Sequence, residues 1–337
     1  MKRVLVTGAT GMLGSYVALQ ARDAGMRVRA LVRDPSSGSW LAERSVELAT
    51  GNLGSAASLR KAVEGCDAVV HAAAEIGSGG EGARYVEGNV VGTQNVVDAA
   101  TWAGARMVHV SSTAVFGAAR YRTELTDEDV PLPRLPERDA YGRSKQAAEG
   151  VVLGAVERDG LWATVVRPPV MYGRRDRQFV PRVAPILTRG FAPLPAGGHT
   201  TLPLVHAGSV ARAVLTALAH DGALGRVYHL TEDAPVTVAT LWQAAARGLD
   251  VRLRRISVPR VVFGVGIAGL AVALGCGGRL DLAHHARGTY RMLTRDNPFS
   301  AARARAELAW RPDLDPAESL ADAFRWWKGR WAGRVVP

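Results

Sequence analysis

The chain has 337 residues, 47% of them hydrophobic and 22% charged, which is typical of a globular protein with a sizeable core. This composition excludes a disordered chain, a collagen and a coiled coil. The two cysteines, Cys66 and Cys276, are too few for a disulfide scaffold or a cysteine zinc cluster. Lys and Arg outnumber Asp and Glu by 42 to 31, a net charge of +11, but no basic run reaches five residues. We therefore expect no nucleic-acid partner.

The amino end does not have the pattern of a secretory signal. The basic Met1–Arg3 is followed by three apolar residues, Val4–Val6, before Thr7 and Gly8. A signal peptide needs a longer apolar core and a small-residue cleavage site. We therefore expect a first strand here and a cytoplasmic protein.

Short β-branched runs alternate with helical stretches along the first half of the chain. The predicted strands are Arg3–Thr7, Arg27–Val32, Ala68–Ala72, Arg106–Ser111 and Ala163–Arg167, and the predicted helices are Leu13–Ala24, Ser58–Glu64, Asn89–Ala103 and Tyr141–Arg158. This alternation requires parallel strands joined by crossover helices. It predicts an α/β fold with a doubly wound Rossmann sheet.

The pattern loosens after Gly173, where prolines interrupt the chain, and resumes with a helix over Val210–Ala219 and a strand over Arg226–Leu230. A further helix is predicted to begin after Thr237, which would cap its amino end. We divide the chain into a dinucleotide-binding Rossmann domain, residues 1–172 and 204–231, and a smaller carboxyl-terminal substrate-binding region, residues 173–203 and 232–331.

One segment is distinguished by its lack of charge. Residues 261–278 are 18 uncharged residues, six of them glycine, flanked by Arg254, Arg255, Arg260 and Arg279. The length lies at the lower limit for a membrane span, and the glycines lower its helix propensity. A buried helix or a lid over an apolar pocket is the favoured interpretation. The alternatives are a helix on a membrane surface and a true span.

A glycine motif follows the first strand and opens the first helix. It comprises Thr7, Gly8, Ala9, Thr10, Gly11, Met12, Leu13 and Gly14. Gly8 permits a tight turn, Gly11 lets the backbone approach a pyrophosphate, and Gly14 lets the helix pack closely on the sheet. The N–H groups at the helix end would hold the phosphates. The motif predicts a dinucleotide site.

The residue at the end of the second strand indicates which dinucleotide is bound. An acidic residue there binds the adenosine ribose, whereas an arginine accepts a 2′-phosphate. Val32 and Arg33 occupy this place, with Asp34 next. Arg33 therefore favours NADP(H), with NAD(H) as the other option. The alternative interpretation of Arg33 is a solvated loop residue.

Two further groups have the chemistry of a redox site. Tyr141 and Lys145 are four residues apart and so share one helix face. An ammonium near a phenol favours the phenolate, which makes Tyr141 a usable proton donor or acceptor. Ser111 and Ser112 follow the strand Arg106–Val110. Hydroxyls at that end of a strand face the crevice in which such sheets bind ligands.

Together these pieces resemble the extended short-chain dehydrogenase/reductase family over nearly the whole chain. The supporting stretches are TGATGMLG (7–14), GNL (51–53), HAAA (71–74), NVVGTQN (89–95), SSTAVFG (111–117), YGRSK (141–145) and RPPVMYG (167–173). The carboxyl half is most similar to the 3β-hydroxysteroid dehydrogenase branch, near the NAD-dependent epimerases and dehydratases. The uncharged 261–278 segment is also typical of that branch.

The resemblance implies Ser112, Tyr141 and Lys145 as the catalytic trio. It also implies that Asn89 supports the active site and that Pro168 and Val170 border the nicotinamide. The dinucleotide would further contact Asn52, Leu53, Ala72, Ala73 and Ala74. Asn52 departs from the aspartate usual beside the adenine, and Gly208 and Ser209 replace an expected Asp or Asn. These departures affect the branch assignment more than the catalytic residues.

We accordingly expect an NAD(P)-dependent oxidoreductase that interconverts a ketone and a secondary alcohol on a large apolar substrate. The alternatives are a nucleotide-sugar epimerase or reductase and a non-catalytic dinucleotide sensor. Thr113 and Ala114 stand where sugar dehydratases place an Asp-Glu pair, which disfavours that reaction. No metal site is expected, since His284 and His285 lack further ligands at suitable spacing. A peripheral membrane contact through 261–278 and a homodimer are left open.

Overall fold

A computed structural model describes residues 2–76, 82–121, 126–187, 190–232, 234, 236–276 and 290–331. Of these, residues 118–121, 186, 270, 271, 274, 275 and 331 are described by their backbone alone. The strands are β1 (Arg3–Thr7), β2 (Arg27–Val32), β3 (Glu47–Thr50), β4 (Ala68–His71), β5 (Arg106–Val110), β6 (Ala163–Arg167), β7 (Val170–Tyr172), β8 (Phe191–Pro195), β9 (Leu204–His206), β10 (Val227–His229) and β11 (Arg254–Val258).

The helices are α1 (Met12–Asp23), α2 (Pro35–Ala42), α3 (Ala56–Val63), α4 (Gly82–Tyr85), α5 (Gly92–Ala103), α6 (Ala140–Asp159), α7 (Val180–Leu187), α8 (Ala207–Ala219), α9 (Val238–Leu249), α10 (Arg260–Cys276), α11 (Ala302–Leu308) and α12 (Pro316–Trp331). A π-helical turn, Val86–Val91, joins α4 to α5. Thr237 caps α9 as predicted, its hydroxyl accepting from the N–H of Thr240 at 3.1 Å.

Seven strands form the central sheet in the order β3-β2-β1-β4-β5-β6-β10, and every neighbouring pair is parallel. Helices α1 and α8 pack on one face of this sheet through residues such as Val17 and Val214. Helices α3, α5 and α6 cover the other face, through residues such as Leu59, Val96 and Val152. The predicted doubly wound α/β sheet is therefore confirmed.

A second hydrophobic cluster lies outside the central sheet. It is built from α7, α9 and α12 with strands β7, β8 and β9; β7 pairs with β9, and β8 pairs with β11. Large buried side chains such as Tyr172, Leu241 and Phe324 fill it. Most of its residues come from the carboxyl-terminal part of the chain.

The favoured interpretation of 261–278 was a buried helix or a lid over an apolar pocket, and the exposure of α10 shows that burial was wrong. The segment is helical as far as Cys276, but Val261 is 77% exposed, Val265 is 68% exposed and Val272 is 61% exposed. Among the described side chains of α10, Phe263 packs against the second cluster and stacks on Tyr290. None of the described helices combines the length and apolarity needed to cross a bilayer. Residues 277–278 lie outside the described residues.

The packing of α9 against α12 leads to a test of stability. A Cβ on Gly248 of α9 would press against the carbonyl oxygen of Ala321 and lie 2.6 Å from Cβ of Phe324 in α12. We expect Gly248→Ala to lower the free energy of unfolding by about 1–3 kcal/mol, the usual cost of overpacking a core. Denaturant titration measures this change.

The control is Gly150→Ala in α6, where the added methyl would have no neighbour within 4 Å. The same substitution should there be neutral or stabilise by about 0.5–1 kcal/mol, because alanine is the better helix former. Equal stability of the two variants would contradict the assigned packing of α9 on α12.

Candidate active site

The predicted site residues gather at the carboxyl edge of the central sheet, because parallel strands end on the same side. Most of them lie at the end of a strand or just after it: Thr7 ends β1 and residues 8–14 follow it, Arg33 follows β2, Asn52 and Leu53 follow β3, Ala72 to Ala74 follow β4, Ser112 follows β5, Pro168 follows β6, and Val170 opens β7. Asn89, Tyr141 and Lys145 join them from the π-helical turn and from α6.

Two glycines shape the loop between β1 and α1. Gly8 has a φ of +69°, and a Cβ there would lie 2.7 Å from the backbone nitrogen of Ala73. A Cβ on Gly14 would lie 2.9 Å from Cα of Ala9, so α1 packs directly on the turn. Gly11 precedes α1 and offers no side chain to cap its first N–H groups. These N–H groups can instead bind an anion such as a pyrophosphate.

The adenosine end of this site lies beyond β2. Arg33 is exposed there. The carboxylate of Asp34 caps α2, accepting from the N–H of Ser36 at 2.9 Å and from the Ser36 hydroxyl. These two hydrogen bonds hold the pKa of Asp34 below its usual value. Asp34 is thus already engaged with α2, whereas Arg33 extends into solvent.

Helix α6 presents the predicted tyrosine and lysine. Asp139 caps its amino end by accepting from the N–H of Gly142 at 3.1 Å. The ammonium of Lys145 is buried, with the residue 2% exposed, and donates to the carbonyl of Val110 at 2.9 Å. Burial lowers the pKa of Lys145 to about 8, although the carboxylate of Glu149 partly opposes this shift. The ring of Tyr141 meets that of Tyr85 edge to face at 5.9 Å.

The two serines after β5 have different surroundings. Ser111 is buried, at 3% exposed, whereas Ser112 is half-buried. The hydroxyl of Ser112 accepts from the N–H of Ala114 at 3.1 Å and keeps its own proton available to donate. The structure therefore leaves Ser112 the more accessible of the pair.

Asn89 lies within the π-helical turn, a type of distortion frequent at functional sites. Its Oδ1 accepts from the N–H of Glu75 at 2.7 Å, and its Nδ2 donates to the Ser144 hydroxyl at 3.0 Å. It thereby joins the segment after β4 to α6. The supporting role that the family resemblance implies for Asn89 stays a prediction.

A buried ion pair fixes α6 to β6. Nε of Arg167 donates to both carboxylate oxygens of Glu149, at 2.9 and 3.2 Å, and Nη2 donates to Oε2 at 2.6 Å. The two side chains are 5% and 2% exposed. Removing one partner of such a pair leaves an uncompensated buried charge, at a cost of about 3–5 kcal/mol. The pair keeps α6 in place over the strand ends.

The sequence analysis did not single out three polar residues of this region individually. His71 ends β4 and is fully buried, Thr93 lies one turn after Asn89, and Ser144 precedes Lys145. Burial lowers the pKa of His71 to about 3, with the nearby Lys145 ammonium adding to the shift. The sequence feature that could have identified His71 is a histidine at the end of an otherwise apolar strand.

The described residues contain no group of three or more His, Cys, Asp or Glu side chains that could hold a metal ion. His284 and His285 lie outside the described residues.

Comparisons with known proteins show the family to which the chain belongs. Residues 4–230 match the family described as "NAD dependent epimerase/dehydratase family". A relative from Stigmatella aurantiaca, 4-hydroxy-2-methyl-3-oxo-4-farnesyl-3,4-dihydroquinoline-1-oxide ketoreductase, is 37% identical over 69% of this chain and 69% of its own length. The 2-alkyl-3-oxoalkanoate reductase of Stenotrophomonas maltophilia is 30% identical over 77% of each chain.

Among solved structures, UDP-glucuronic acid 4-epimerase from Bacillus cereus, in complex with NAD, superposes with a TM-score of 0.75. The match covers 99% of this chain and 98% of that chain at 16% identity, and it shows a shared fold. The chain belongs to the NAD-dependent epimerase/dehydratase family of extended short-chain dehydrogenases/reductases and is an NAD(P)-dependent oxidoreductase.

Proposed function

We propose that this enzyme interconverts a ketone and a secondary alcohol on a large apolar substrate. The observation that supports the reaction most directly is the buried ammonium of Lys145, held by the carbonyl of Val110 one helical turn from Tyr141. Below a pH of about 8 this group is charged. A positive charge there favours the phenolate form of Tyr141.

The roles of the three side chains follow from their chemistry. Ser112 donates a hydrogen bond to the substrate oxygen, where negative charge develops during reduction. Tyr141 donates a proton to that oxygen in reduction and removes it in oxidation. Lys145 stabilises the deprotonated phenol. A bound nicotinamide dinucleotide supplies or accepts the hydride.

Tyr141→Phe should lower kcat by about 10²–10⁴-fold, the usual contribution of a general acid–base group. The dissociation constant for NADPH, measured by fluorescence titration, should change less than twofold, because the phenol acts on the substrate. The control is Tyr228→Phe in β10, which also removes a hydroxyl, here one bonded to Glu307 at 2.8 Å. Retention of more than a tenth of the wild-type rate by Tyr141→Phe would contradict the role of Tyr141.

The names of the relatives support an apolar ketone as substrate. One is named for a 3-oxo compound with a farnesyl chain and another for 2-alkyl-3-oxoalkanoates. We propose that residues 173–203 and 232–331, which contribute most of the second hydrophobic cluster, form the substrate-binding region. Oxidation of NADPH with a 2-alkyl-3-oxo fatty acid or a 3-ketosteroid, and conversion of a UDP-hexose to its 4-epimer in the presence of NAD, compare the candidates.

A nucleotide-sugar epimerase or reductase is the second candidate, because the fold is shared with a UDP-sugar epimerase. Turnover confined to the UDP-hexose would select it. Turnover of the fatty acid or the steroid, with none of the UDP-hexose, would select the apolar-ketone reductase.

We further propose a preference for NADP(H), through Arg33. Arg33 is free to pair with a 2′-phosphate, whereas the neighbouring carboxylate of Asp34 is engaged in capping α2. A carboxylate free to bind the adenosine ribose would instead favour NAD(H).

Arg33→Ala should reduce the ratio of NADPH to NADH affinity about tenfold or more, as expected for losing a charge-assisted hydrogen bond. The affinity for NADH should change little. Arg27→Ala, at the opposite end of β2 and also exposed, serves as the control and should leave the ratio unchanged. Tighter binding of NADH than of NADPH by the wild-type enzyme would contradict the assignment.

Helix α10 supports a peripheral membrane contact. Its exposed valines leave an apolar surface in water, and the exposed Arg254, Arg255 and Arg260 lie beside it. The strength of binding to an anionic bilayer surface increases with the apolar area buried there and with electrostatic attraction from nearby basic residues. We propose that α10 docks the enzyme on such a surface, where apolar substrates dissolve.

The wild-type protein should float with vesicles that contain phosphatidylglycerol and float less with vesicles of phosphatidylcholine alone. Val261→Ser combined with Val265→Ser should reduce flotation severalfold, because two apolar contacts are lost. Leu224→Ser changes another exposed apolar residue, 48% exposed, away from α10, and should not reduce it. Absence of wild-type flotation would contradict the membrane contact.

A further inference from the structure

A continuous chain of hydrogen bonds crosses the buried region beneath the site. The N–H of Ala73 donates to the Thr7 hydroxyl at 3.2 Å, and that hydroxyl lies 2.8 Å from Nδ1 of His71. On the other side of the ring, Nε2 of His71 lies 3.0 Å from the Thr93 hydroxyl, which donates to the carbonyl of Asn89 at 2.6 Å. Thr7, His71, Thr93 and Asn89 are each at most 2% exposed.

The donors and acceptors at the two ends fix the tautomer of the ring. The carbonyl of Asn89 can only accept, so Thr93 uses its proton there and must accept from His71, whose Nε2 therefore carries hydrogen. A neutral imidazole then has a lone pair at Nδ1, to which Thr7 donates. Burial and the Lys145 ammonium keep the ring neutral at physiological pH. Every hydrogen bond in this series thus has its donor on the Ala73 side and its acceptor on the Asn89 side.

One end of this series of hydrogen bonds lies at the proposed dinucleotide loop, and the other end lies at the segment that carries Tyr141. At the first end, the backbone of Ala73 lies against Gly8 of the phosphate-binding loop. At the second, the Asn89 side chain donates to the Ser144 hydroxyl, which donates to the carbonyl of Tyr141 at 2.8 Å. The loop that would hold the dinucleotide is therefore connected to the first turn of α6.

We propose that His71, as the Nε2–H tautomer, is a positioning residue. It holds the dinucleotide loop and the Tyr141 segment of α6 in a fixed position relative to each other. This inference rests on the proposed role of Tyr141. A satisfied buried hydrogen bond holds the groups that it joins in one orientation, so loss of a link mainly disturbs the segment next to that link. The hydrogen bond to Thr93 orients Asn89 and, through it, the first turn of α6 with Tyr141. The hydrogen bond to Thr7 orients Ala73 and the neighbouring Gly8 loop.

Thr93→Val tests the first link, because it removes the hydroxyl and retains the β-branched shape. With the ketone that the wild-type enzyme turns over, kcat should fall at least tenfold, while the dissociation constant for NADPH stays within twofold. The control is Thr101→Val on the same helix, α5, whose hydroxyl has no hydrogen-bond partner among the described residues. It should change neither value. Equal kcat in these two variants, both with wild-type melting temperature, would overturn the proposal.

Thr7→Val tests the second link and should raise the dissociation constant for NADPH about fivefold or more. The resulting division, with kcat affected by Thr93→Val and cofactor affinity by Thr7→Val, is not expected if the residues only stabilise the fold. A general loss of stability would change both constants in both variants, and that outcome would also overturn the proposal.

The tautomer can be measured without turnover. In ¹⁵N-histidine-labelled protein at pH 7, with His71→Asn used to assign the signal, Nε2 should be protonated and Nδ1 bare. A proton on Nδ1 would overturn the proposal. If no ketone is turned over, the proposed function fails, but this spectrum and the NADPH titration of Thr7→Val still decide the role of His71.

Discussion

The close approach of three backbone segments at the end of β1 is the constraint on which the rest of the site depends. Gly8, Gly14 and Ala73 lie so near one another that a Cβ on either glycine would overlap backbone atoms. This packing brings the amino end of α1 to the carboxyl edge of the sheet, where its N–H groups can bind an anion. It also places the Thr7 hydroxyl beneath Ala73, which starts the hydrogen-bond chain through His71.

Polar contacts, rather than apolar packing alone, determine where α6 lies. Lys145 donates to the end of β5, Glu149 pairs with Arg167 of β6, and Ser144 receives a hydrogen bond from Asn89. Apolar contacts would permit the helix to slide or rotate, whereas directional bonds to three different elements do not. Such buried charges add little to stability, and we infer that their benefit is the orientation of α6. Because Tyr141 lies in the first turn of α6, these contacts also determine where Tyr141 lies.

The sequence predicted the central sheet well, because its inner strands are continuous β-branched runs and glycines mark their ends. It did not predict β3, whose residues are only partly buried, or the pairs β7-β9 and β8-β11, whose strands are three to five residues long and in β8 contain prolines. Helix α2 was missed since it contains Pro35 and Gly38. The chain of bonds through His71 joins residues up to 66 positions apart, which no local pattern reveals.

The 261–278 segment shows where composition fails to determine placement. An uncharged run is equally suited to a protein core and to a membrane interface, and its glycines remove the one-sided apolar stripe that would indicate packing. The second hydrophobic cluster contacts Phe263 of α10, whereas Val261, Val265 and Val272 are exposed to solvent. Burying that surface in lipid would remove its contact with water while keeping Arg254 and Arg255 at the headgroups. An enzyme held in this way would meet an apolar ketone where the ketone is most concentrated.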